Sequence, residues 1–345
     1  MTQGARTVSL IVPCRNERGY IEAFCASALA QRLPPDRRLE LVIADGQSDD
    51  GTREVLDALA LRDARVAVIA NPRRIVSTGL NLALAQARGD VIVRMDVHTE
   101  YAPDYVAQCL AALELSGAAN VGGPWRAEAG PQALPMQQAV AAAFQSRWVA
   151  GGARSRDLTY SGEVDTVYLG CWPRATFERF GGFDEDLVRN QDDEHNLRIV
   201  RGGGRIWQSA AVRSVYRPRA RLGQVFRQYL QYGYWKPFVM KKHGQPASLR
   251  HLVPALFVAA LGLSLLPALA GLALPLVALA VLYAATVVAL TAGVAAQLHP
   301  SPAALVRVPA VIAAYHVGYG VGSIVGAWDV LRHGRGRARF AALTR

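Results

Sequence analysis

The stretch VIVRMDVH, residues 91–98, is a short apolar run that leads into a carboxylate and, two residues later, an imidazole. Its β-branched residues predict a buried strand, and side chains two apart along a strand share one face. Asp96 and His98 are therefore expected to face the same way at the end of this strand. A carboxylate oxygen and a neutral imidazole nitrogen both bind divalent ions, so the pair is a candidate metal site.

Apolar runs and helical patterns alternate upstream of this stretch. Three further strands are predicted, at residues 8–12, 39–44 and 66–70. Strands that alternate with helices form βαβ units and a mostly parallel sheet. Ligands of such sheets bind beyond the carboxyl ends of the strands, which hold residues 13–17, 45–49 and 96–98.

The turns after the first two strands argue against two common nucleotide-binding classes. No Gly-x-Gly-x-x-Gly follows the first strand and no Gly-x-x-x-x-Gly-Lys-Ser/Thr occurs in the chain, which excludes a dinucleotide-binding dehydrogenase and a P-loop enzyme. The second strand ends instead in Asp45, whose carboxylate is suited to accept hydrogen bonds from a base or a ribose. Asp49 and Asp50 could equally cap the helix that follows.

Positive charge is concentrated in one part of the chain. The 345 residues include 38 Lys and Arg against 27 Asp and Glu, and residues 201–250 hold eleven of the basic residues and no acidic ones. A basic patch suits nucleic acid or an anionic membrane surface. The next stretch, residues 252–296, carries no charge and is long enough to cross a bilayer, so a membrane is expected and nucleic acid is not.

The C-terminal region is expected to hold two to three apolar membrane segments within residues 251–331. Residues 252–296 suffice for two spans, and residues 308–328 form a third uncharged stretch. The tail, residues 332–345, has five arginines and should stay cytoplasmic, whereas three spans would place it outside. Either one stretch is re-entrant or interfacial, or the positive-inside rule fails here.

The cysteines and the N-terminus indicate the cytoplasm for the first part of the chain. Four cysteines lie scattered without Cys-x-x-Cys spacing, as buried residues of a reducing compartment do. The N-terminus leads straight into a strand without a signal-peptide pattern.

Four motifs in order resemble one known family. They are VPCRNE (residues 12–17), ADGQSDDGT (44–52), GLN with ARGD (79–81 and 87–90) and DVH (96–98). Together they resemble the family 2 inverting glycosyltransferases of the GT-A fold. The resemblance implies an α/β fold with a Rossmann-like, mostly parallel sheet flanked by helices, here followed by C-terminal membrane helices. The usual Asp-x-Asp of the family is Asp-x-His in this chain.

The resemblance assigns a set of residues to a UDP-sugar donor. The uridine is expected to be held by Pro13, Glu17 and Asp45. The metal ion that binds the diphosphate is expected to be held by Asp96 and His98. The full expected donor set is Pro13, Arg15, Asn16, Glu17, Asp45, Ser48, Arg74, Asn81, Arg94, Asp96 and Gly170. A divalent ion stabilises the charge that develops on a departing diphosphate. An imidazole ligand favours Mn²⁺ over Mg²⁺, because Mg²⁺ prefers oxygen ligands.

A second acidic motif supplies the expected catalytic base. NQDDEHNLR, residues 190–198, is similar to the Glu-Asp-x-Asp motif of the family, with Gln191 and Glu194 replacing its Glu and second Asp. Asp192 then deprotonates the acceptor hydroxyl as it attacks in a single displacement. The helix dipole alone also favours acidic residues in a first helical turn, and Asp193 is expected to cap the helix or face solvent.

Four residues are expected at the acceptor: Trp125, Gln191, Gln231 and Trp235. QYGYW, residues 231–235, resembles the Gln-x-x-Arg-Trp motif of processive members, but Tyr234 stands where the motif has Arg, which favours transfer of a single sugar. Trp235 could stack under an acceptor sugar or anchor its helix in the membrane interface. Residues 145–156 are either an ordinary loop or a site for an acceptor phosphate.

These expectations combine into one hypothesis and two alternatives. Residues 1–220 would form a cytoplasmic catalytic domain and residues 221–250 a basic amphipathic helix at a bacterial-type inner membrane. The chain would move a hexose, by resemblance glucose, from a UDP-sugar to a polyprenyl-diphosphate-linked saccharide on the route to an exopolysaccharide. The alternatives are a processive synthase, whose channel would require a homo-oligomer, and a non-catalytic subunit that binds sugar nucleotides.

Overall fold

The computed structural model describes residues 6–246, 248–334, 336 and 340. The chain divides into two compact units, Met1–Arg126 with Asp157–Tyr216 and Ala127–Arg156 with Arg217–Arg345. Residues 127–156, which the sequence assigns to the first domain, thus group with the C-terminal helices. The predicted domain boundary at residue 220 stays a prediction.

The first unit contains all ten strands of the described residues. They are β1 (Arg6–Cys14), β2 (Arg37–Asp45), β3 (Val66–Ala70), β4 (Val91–Arg94), β5 (Thr99–Tyr101), β6 (Asn120–Gly123), β7 (Gly162–Glu163), β8 (Tyr168–Pro173), β9 (Ile206–Gln208) and β10 (Ser214–Tyr216). The first seven helices of the chain, of which α5 belongs to the second unit, are α1 (Ile21–Leu29), α2 (Thr52–Arg62), α3 (Val76–Gln86), α4 (Tyr105–Ser116), α5 (Pro135–Gln145), α6 (Arg174–Phe180) and α7 (Gln191–Arg201).

The main sheet has eight strands in the order β3-β2-β1-β4-β8-β6-β9-β7. Strands β3, β2, β1 and β4 run parallel, with Leu10 of β1 opposite both Leu41 and Val93, while β8 runs antiparallel to β4 and β6. The remaining strands, β5 and β10, form an antiparallel pair. The predicted α/β fold is confirmed, but the sheet is mixed, with β3, β2, β1 and β4 parallel and β8 antiparallel to its neighbours. The carboxyl ends of β1, β2 and β4 meet at one edge.

Both faces of the sheet are covered by helices, which explains the continuous apolar runs of its strands. Leu10 and Val93 pack with α1 and α4 on one face, and Ile11 and Ile92 pack with α3, α6 and α7 on the other. Because side chains alternate along a strand, Arg94 shares a face with Ile92. This alternation directs Arg94 toward the side of the sheet on which α7 lies.

The second unit consists of helices. They are α5, α8 (Leu222–His243), α9 (Val253–Leu269), α10 (Leu274–Leu298), α11 (Pro302–Leu305) and α12 (Val308–His333). Three segments are long and apolar enough to cross a membrane: Leu249–Leu269, Leu274–Leu298 and Pro302–His333. The predicted C-terminal apolar helices are therefore present, whereas most of the basic tail lies outside the described residues.

Helix α8 packs backbone to backbone on α12 through glycines. A Cβ added at Gly322 or Gly326 would lie 2.1 Å from the carbonyl oxygen of Leu230 or Tyr234, respectively. The hydroxyl of Tyr234 also donates to Oδ2 of Asp329 at 2.9 Å, and both side chains are buried. Only glycine permits so close an approach, so the positions of these glycines in the sequence determine where α8 and α12 can pack together.

Candidate donor and base site

Several hydrogen bonds join the loops that follow β1 and β2, and one hydroxyl is central to them. Ser48 Oγ donates to Oδ1 of the buried Asp45 at 2.6 Å and accepts from the backbone N–H of Asn16 at 2.8 Å. The side chain of Asn16 in turn donates to Asp49 Oδ1 at 2.7 Å. Three predicted donor residues, Asn16, Asp45 and Ser48, thus form one hydrogen-bonded group at the carboxyl edge of the sheet.

Three other predicted donor residues lie beside this group. A Cβ added at Gly46 would lie 3.1 Å from Cβ of Arg15, so Arg15 covers that glycine. Arg74 has a φ of 60° and donates through Nε to Gln47 Oε1 at 2.7 Å. Pro13 precedes the last residue of β1. The structure therefore brings the expected donor residues of the first two motifs together.

The strand that was expected to carry Asp96 and His98 ends before it reaches them. Strand β4 ends at Arg94, and the two residues lie in a turn in which the N–H of Thr99 donates to the carbonyl of Asp96 at 3.2 Å. The alternation of a strand therefore does not apply to them. Nε2 of His98 lies 2.9 Å from Oε2 of Glu17, the residue expected to hold uridine, and the carboxylate of Asp96 accepts from the N–H of His98 at 2.9 Å.

Within the part of the chain that the structure describes, no group of three or more His, Cys, Asp or Glu side chains is placed to hold a metal ion. Asp96 and His98 supply at most two protein ligands. Such a pair fits a divalent ion whose remaining ligands come from substrate phosphates and water, which is how Mg²⁺-type ions are held at phosphate sites.

Two tyrosines that the sequence did not mark lie beside Asp96. The hydroxyl of Tyr101 donates to the carbonyl of Asp96 at 3.2 Å, and the hydroxyl of Tyr168 lies 2.7 Å from Thr99 Oγ1. Burial, and then the charge of Asp96, raise the pKa of both phenols well above the usual value. Both therefore stay neutral hydrogen-bond donors. Their positions depend on β5 and β8, so no local motif could have identified them.

The predicted base lies at the end of β4. Asp192 is in the first turn of α7, and its Oδ2 lies 3.6 Å from Nη1 of Arg94. The side chain of Arg94 is 9% exposed and that of Asp192 is 39% exposed. A carboxylate with this exposure is accessible to a substrate hydroxyl, while the guanidinium behind it is shielded from water.

Two neighbours of Asp192 on this helix, Glu194 and His195, are buried and engaged in packing. Glu194, which takes the place of the second Asp of the motif, is fully buried and paired with Arg198 at 2.5 Å. His195 is also fully buried and stacks on Phe177 with 5.2 Å between ring centroids. The first contact lies within α7 and the second joins α7 to α6, so Asp192 is left as the accessible carboxylate of the motif beside Arg94.

Two predicted donor residues have structural contacts that account for them. The side-chain N–H of Asn81 donates to the carbonyl of Phe183 at 2.8 Å and to Glu185 Oε1 at 2.9 Å, so Asn81 holds that loop against α3. Gly170 has a φ of 119°, and an added Cβ would lie 2.4 Å from the Trp172 ring. Their contact with a donor stays a prediction.

The predicted acceptor residues fall in both units. Trp125 belongs to the first unit, where it stacks on Tyr168 with 5.2 Å between centroids and meets Tyr216 edge-on at 5.4 Å. Gln191 begins α7 and is 5% exposed. These aromatic and amide side chains are of the kinds that bind sugars.

Gln231 and Trp235 lie on α8 in the second unit and are 5% and 4% exposed. The Trp235 ring packs against Phe238 at 5.2 Å, and its Nε1 donates to the carbonyl of Phe340 at 3.3 Å. Neither side of this ring is open in the way a sugar-stacking platform requires. An acceptor role for these two residues stays a prediction.

Comparison with known proteins defines the class. The model of glycosyl transferase family 2 matches residues 9–170. The chain belongs to this family and is a glycosyltransferase with a GT-A-like fold. In particular, it is 33% identical over 250 residues to the succinoglycan biosynthesis protein ExoA of Rhizobium meliloti (strain 1021), a match that covers 71% of this chain and 73% of that protein.

Two further relatives extend the comparison. A dolichyl N-acetyl-α-D-glucosaminyl phosphate 3-β-D-2,3-diacetamido-2,3-dideoxy-β-D-glucuronosyltransferase of Methanococcus voltae is 24% identical, over 68% of this chain and 74% of its own length. The mannosyltransferase PcManGT of Pyrobaculum calidifontis, solved with GDP-Man and Mn²⁺, has a TM-score of 0.58 and 22% identity, with 92% of this chain and 88% of that chain covered. The second comparison supports the fold alone.

Proposed function

We propose that this glycosyltransferase moves a hexose, glucose, from a UDP-sugar with inversion to a polyprenyl-diphosphate-linked saccharide in exopolysaccharide synthesis. One observation carries the proposal: Asp192 lies 3.6 Å from Arg94, two residues before Asp96 on the chain. A candidate base and a candidate diphosphate site therefore share one edge of the sheet. The names of the relatives, which refer to succinoglycan biosynthesis and a dolichyl phosphate acceptor, support the substrate classes.

In this proposal the chain's own residues bind the donor and move one proton. Pro13, Glu17 and Asp45 bind the nucleoside, Ser48 and Asn16 are hydrogen-bonded beside Asp45, and Asp96 with His98 would hold a divalent ion. That ion, when bound, stabilises the charge that the diphosphate gains as its bond to the sugar breaks. Asp192 accepts the proton of the attacking acceptor hydroxyl, so the sugar is inverted in a single displacement.

The second unit supports a lipid-linked acceptor at the cytoplasmic face of a bacterial-type inner membrane. It holds 17 of the 38 basic residues and two of the 27 acidic ones, together with the three apolar helices. An amphiphilic diphosphate suits both features. Single-sugar transfer is proposed because Tyr234, in the place of the processive motif's Arg, is bonded to Asp329. Trp125, Gln191, Gln231 and Trp235 remain the acceptor candidates.

The proposal is tested by label transfer in membranes that contain the full-length protein. Radiolabelled UDP-glucose, UDP-galactose, UDP-N-acetylglucosamine and GDP-mannose are supplied separately with Mn²⁺, and the organic-extractable lipid is counted. We expect label to enter the lipid from UDP-glucose and to leave the lipid on mild acid hydrolysis of the diphosphate linkage. If label entered from GDP-mannose alone, UDP-glucose would be rejected as the donor. If label appeared only in water-soluble polymer, a lipid-linked acceptor would be rejected.

We predict that removing the divalent ion stops the reaction and that the identity of the ion depends on His98. Chelation should abolish transfer, and Mn²⁺ should restore it about tenfold better than Mg²⁺, because imidazole suits Mn²⁺. In His98→Asp the transfer rates with Mn²⁺ and Mg²⁺ should become nearly equal, since both protein ligands then supply oxygen. Equal rates with either ion in the unsubstituted protein, after rigorous removal of Mn²⁺, would contradict the assignment of His98 as a ligand.

A further inference from the structure

We propose that Arg94 is the positioning residue of this site: its guanidinium orients the Asp192 carboxylate and binds a phosphate oxygen of the nucleotide-sugar donor. The role of Asp192 as base rests on the proposed function. The binding of an anionic oxygen by Arg94 rests on the surroundings of Arg94 itself.

The first observation is that Arg94 is buried with N–H groups that have no hydrogen-bond partner within the described part of the chain. The residue is 7% exposed, and neither Nε nor Nη1 has a hydrogen-bond partner among the residues that the structure describes. Buried polar groups of folded proteins almost always have partners. Arg174 in the same unit shows the ordinary case, since it donates to the carbonyls of Gly89 at 2.7 Å and Ala87 at 2.6 Å. The missing partners of Arg94 indicate a ligand.

The second observation is the spacing between Arg94 and Asp192. The 3.6 Å from Nη1 to Oδ2 allows charge attraction but exceeds the 2.7–3.2 Å of an N–H···O hydrogen bond. Catalytic hydrogen bonds are often this long without substrate and shorten in the substrate complex. Oε1 of Gln191, the residue before Asp192, is also buried without a partner in the described structure. Within the described residues, polar groups without a hydrogen-bond partner thus lie beside the base both on α7, which carries it, and on β4.

The chemistry of the guanidinium defines the ligand. Arginine offers donors only and is always charged, so its partner must be an oxygen, and preferably an anionic one. Asp96 follows Arg94 by two residues and is a proposed ligand of the divalent ion at the donor's diphosphate, so a bound donor would bring its phosphate oxygens to this part of the site. One arginine then contacts both the leaving group and the base, and it orders the base when donor is present.

The test compares Arg94→Ala, Arg94→Lys and Asp192→Asn with Arg174→Ala, the control for a half-buried arginine whose donors bind backbone carbonyls. In the full-length protein we expect Arg94→Ala to lower kcat about 100-fold and to raise KM for UDP-glucose about tenfold. At saturating UDP-glucose, the loss of kcat in the double variant Arg94→Ala with Asp192→Asn should be much smaller than the product of the two single losses, because part of the effect of Arg94 acts through Asp192. Added guanidinium ion at low millimolar concentration should restore part of the activity of Arg94→Ala.

The control separates a structural role from a positioning role. Arg174→Ala should lower the melting temperature but leave kcat per folded molecule unchanged and unaffected by guanidinium. Should Arg94→Ala fail to fold, Arg94→Lys retains charge and volume, and we expect it to fold with kcat at least tenfold reduced, since an ammonium lacks the planar fork.

Three results would each overturn the inference. They are an unchanged kcat in Arg94→Lys, no rescue of Arg94→Ala by guanidinium, and a loss of kcat in the double variant equal to the product of the two single losses. Failure of the proposed function gives a different pattern. Full activity of Asp192→Asn would reject the base whatever Arg94 does, whereas an inactive Asp192→Asn beside a fully active Arg94→Ala rejects Arg94 alone.

Discussion

At the scale of single residues, the donor loops depend on Ser48. Its hydroxyl donates to Asp45 at 2.6 Å and accepts from the N–H of Asn16 at 2.8 Å, so it joins the ends of two neighbouring strands. Asp45 is 2% exposed, and a buried polar group that loses a hydrogen-bond partner lowers the stability of the folded state. The order of the nucleoside site should therefore depend in part on this oxygen.

We predict that Ser48→Ala lowers the free energy of unfolding by about 1–2 kcal/mol and weakens binding of UDP about tenfold, because two hydrogen bonds are lost and Asp45 is left short of a donor. Calorimetric titration of the detergent-solubilised protein with UDP measures the second effect. Thr159→Ala is the matched control, since Thr159 bonds to Asp157 at 2.8 Å on the exposed surface and should change neither quantity. Unchanged UDP affinity in Ser48→Ala would contradict the proposed nucleoside site.

The residue types of this site could be predicted from sequence, but some of their contacts could not. Asp45, Ser48 and Asn16 lie in motifs that follow strands, and strand ends of a parallel sheet must converge. The pairing of His98 with Glu17 depends on where β4 ends, and strand ends are the least certain part of a pattern. Tyr168 comes to Asp96 from a strand more than 70 residues later, a relation that no local spacing contains.

At the scale of elements, the contact between α8 and α12 places the strictest limit on side-chain size. Gly318, Gly322 and Gly326 recur every fourth residue along α12, which places them on one face of the helix. At each of these positions an added Cβ would lie within 3 Å of a backbone oxygen of α8. The glycine spacing is visible in the sequence, but the helix that these glycines contact is not, because α8 lies some 90 residues earlier.

We predict that Gly322→Ala destabilises the second unit by about 1–3 kcal/mol, because the new methyl would overlap the carbonyl of Leu230 and force the helices apart. Gly262→Ala on α9 is the control, since no atom lies within 4 Å of its added Cβ and alanine favours a helix. Thermal aggregation in detergent should be earlier for Gly322→Ala and unchanged or later for Gly262→Ala. Equal curves for both variants would show that the glycine contact does not carry stability.

At the scale of the whole molecule, charge and apolar surface are segregated between the units. The first unit has 21 basic and 25 acidic residues, whereas the second has 17 basic and two acidic residues and all three apolar segments. Such a division suits one water-facing unit and one unit held at an anionic bilayer. The membrane character was predictable from composition alone, but the grouping of residues 127–156 with the C-terminal helices was not, since those residues carry no long apolar run.

We predict that the protein behaves as an integral membrane protein. It should stay in the membrane pellet after carbonate extraction at high pH and enter the supernatant only with detergent, because segments of 21 to 32 residues of this composition partition into the bilayer core. A truncation after residue 216 would lack all three segments and serves as the comparison. Release of the full chain by carbonate or by salt alone would contradict a spanning arrangement and favour a peripheral one.

The central claim is that Asp192 is the base of an inverting sugar transfer, and single-turnover transfer tests it most directly. Labelled UDP-glucose is pre-bound to membranes that contain the unsubstituted protein, Asp192→Asn or Asp193→Asn, and the rate of label transfer to lipid is followed. We predict that Asp192→Asn lowers this rate by about 10²–10⁴ while UDP binding stays within about threefold, because only proton removal is lost. Asp193→Asn, the neighbouring carboxylate, should stay within about threefold of the unsubstituted rate. A rate for Asp192→Asn near that of the unsubstituted protein would contradict the account.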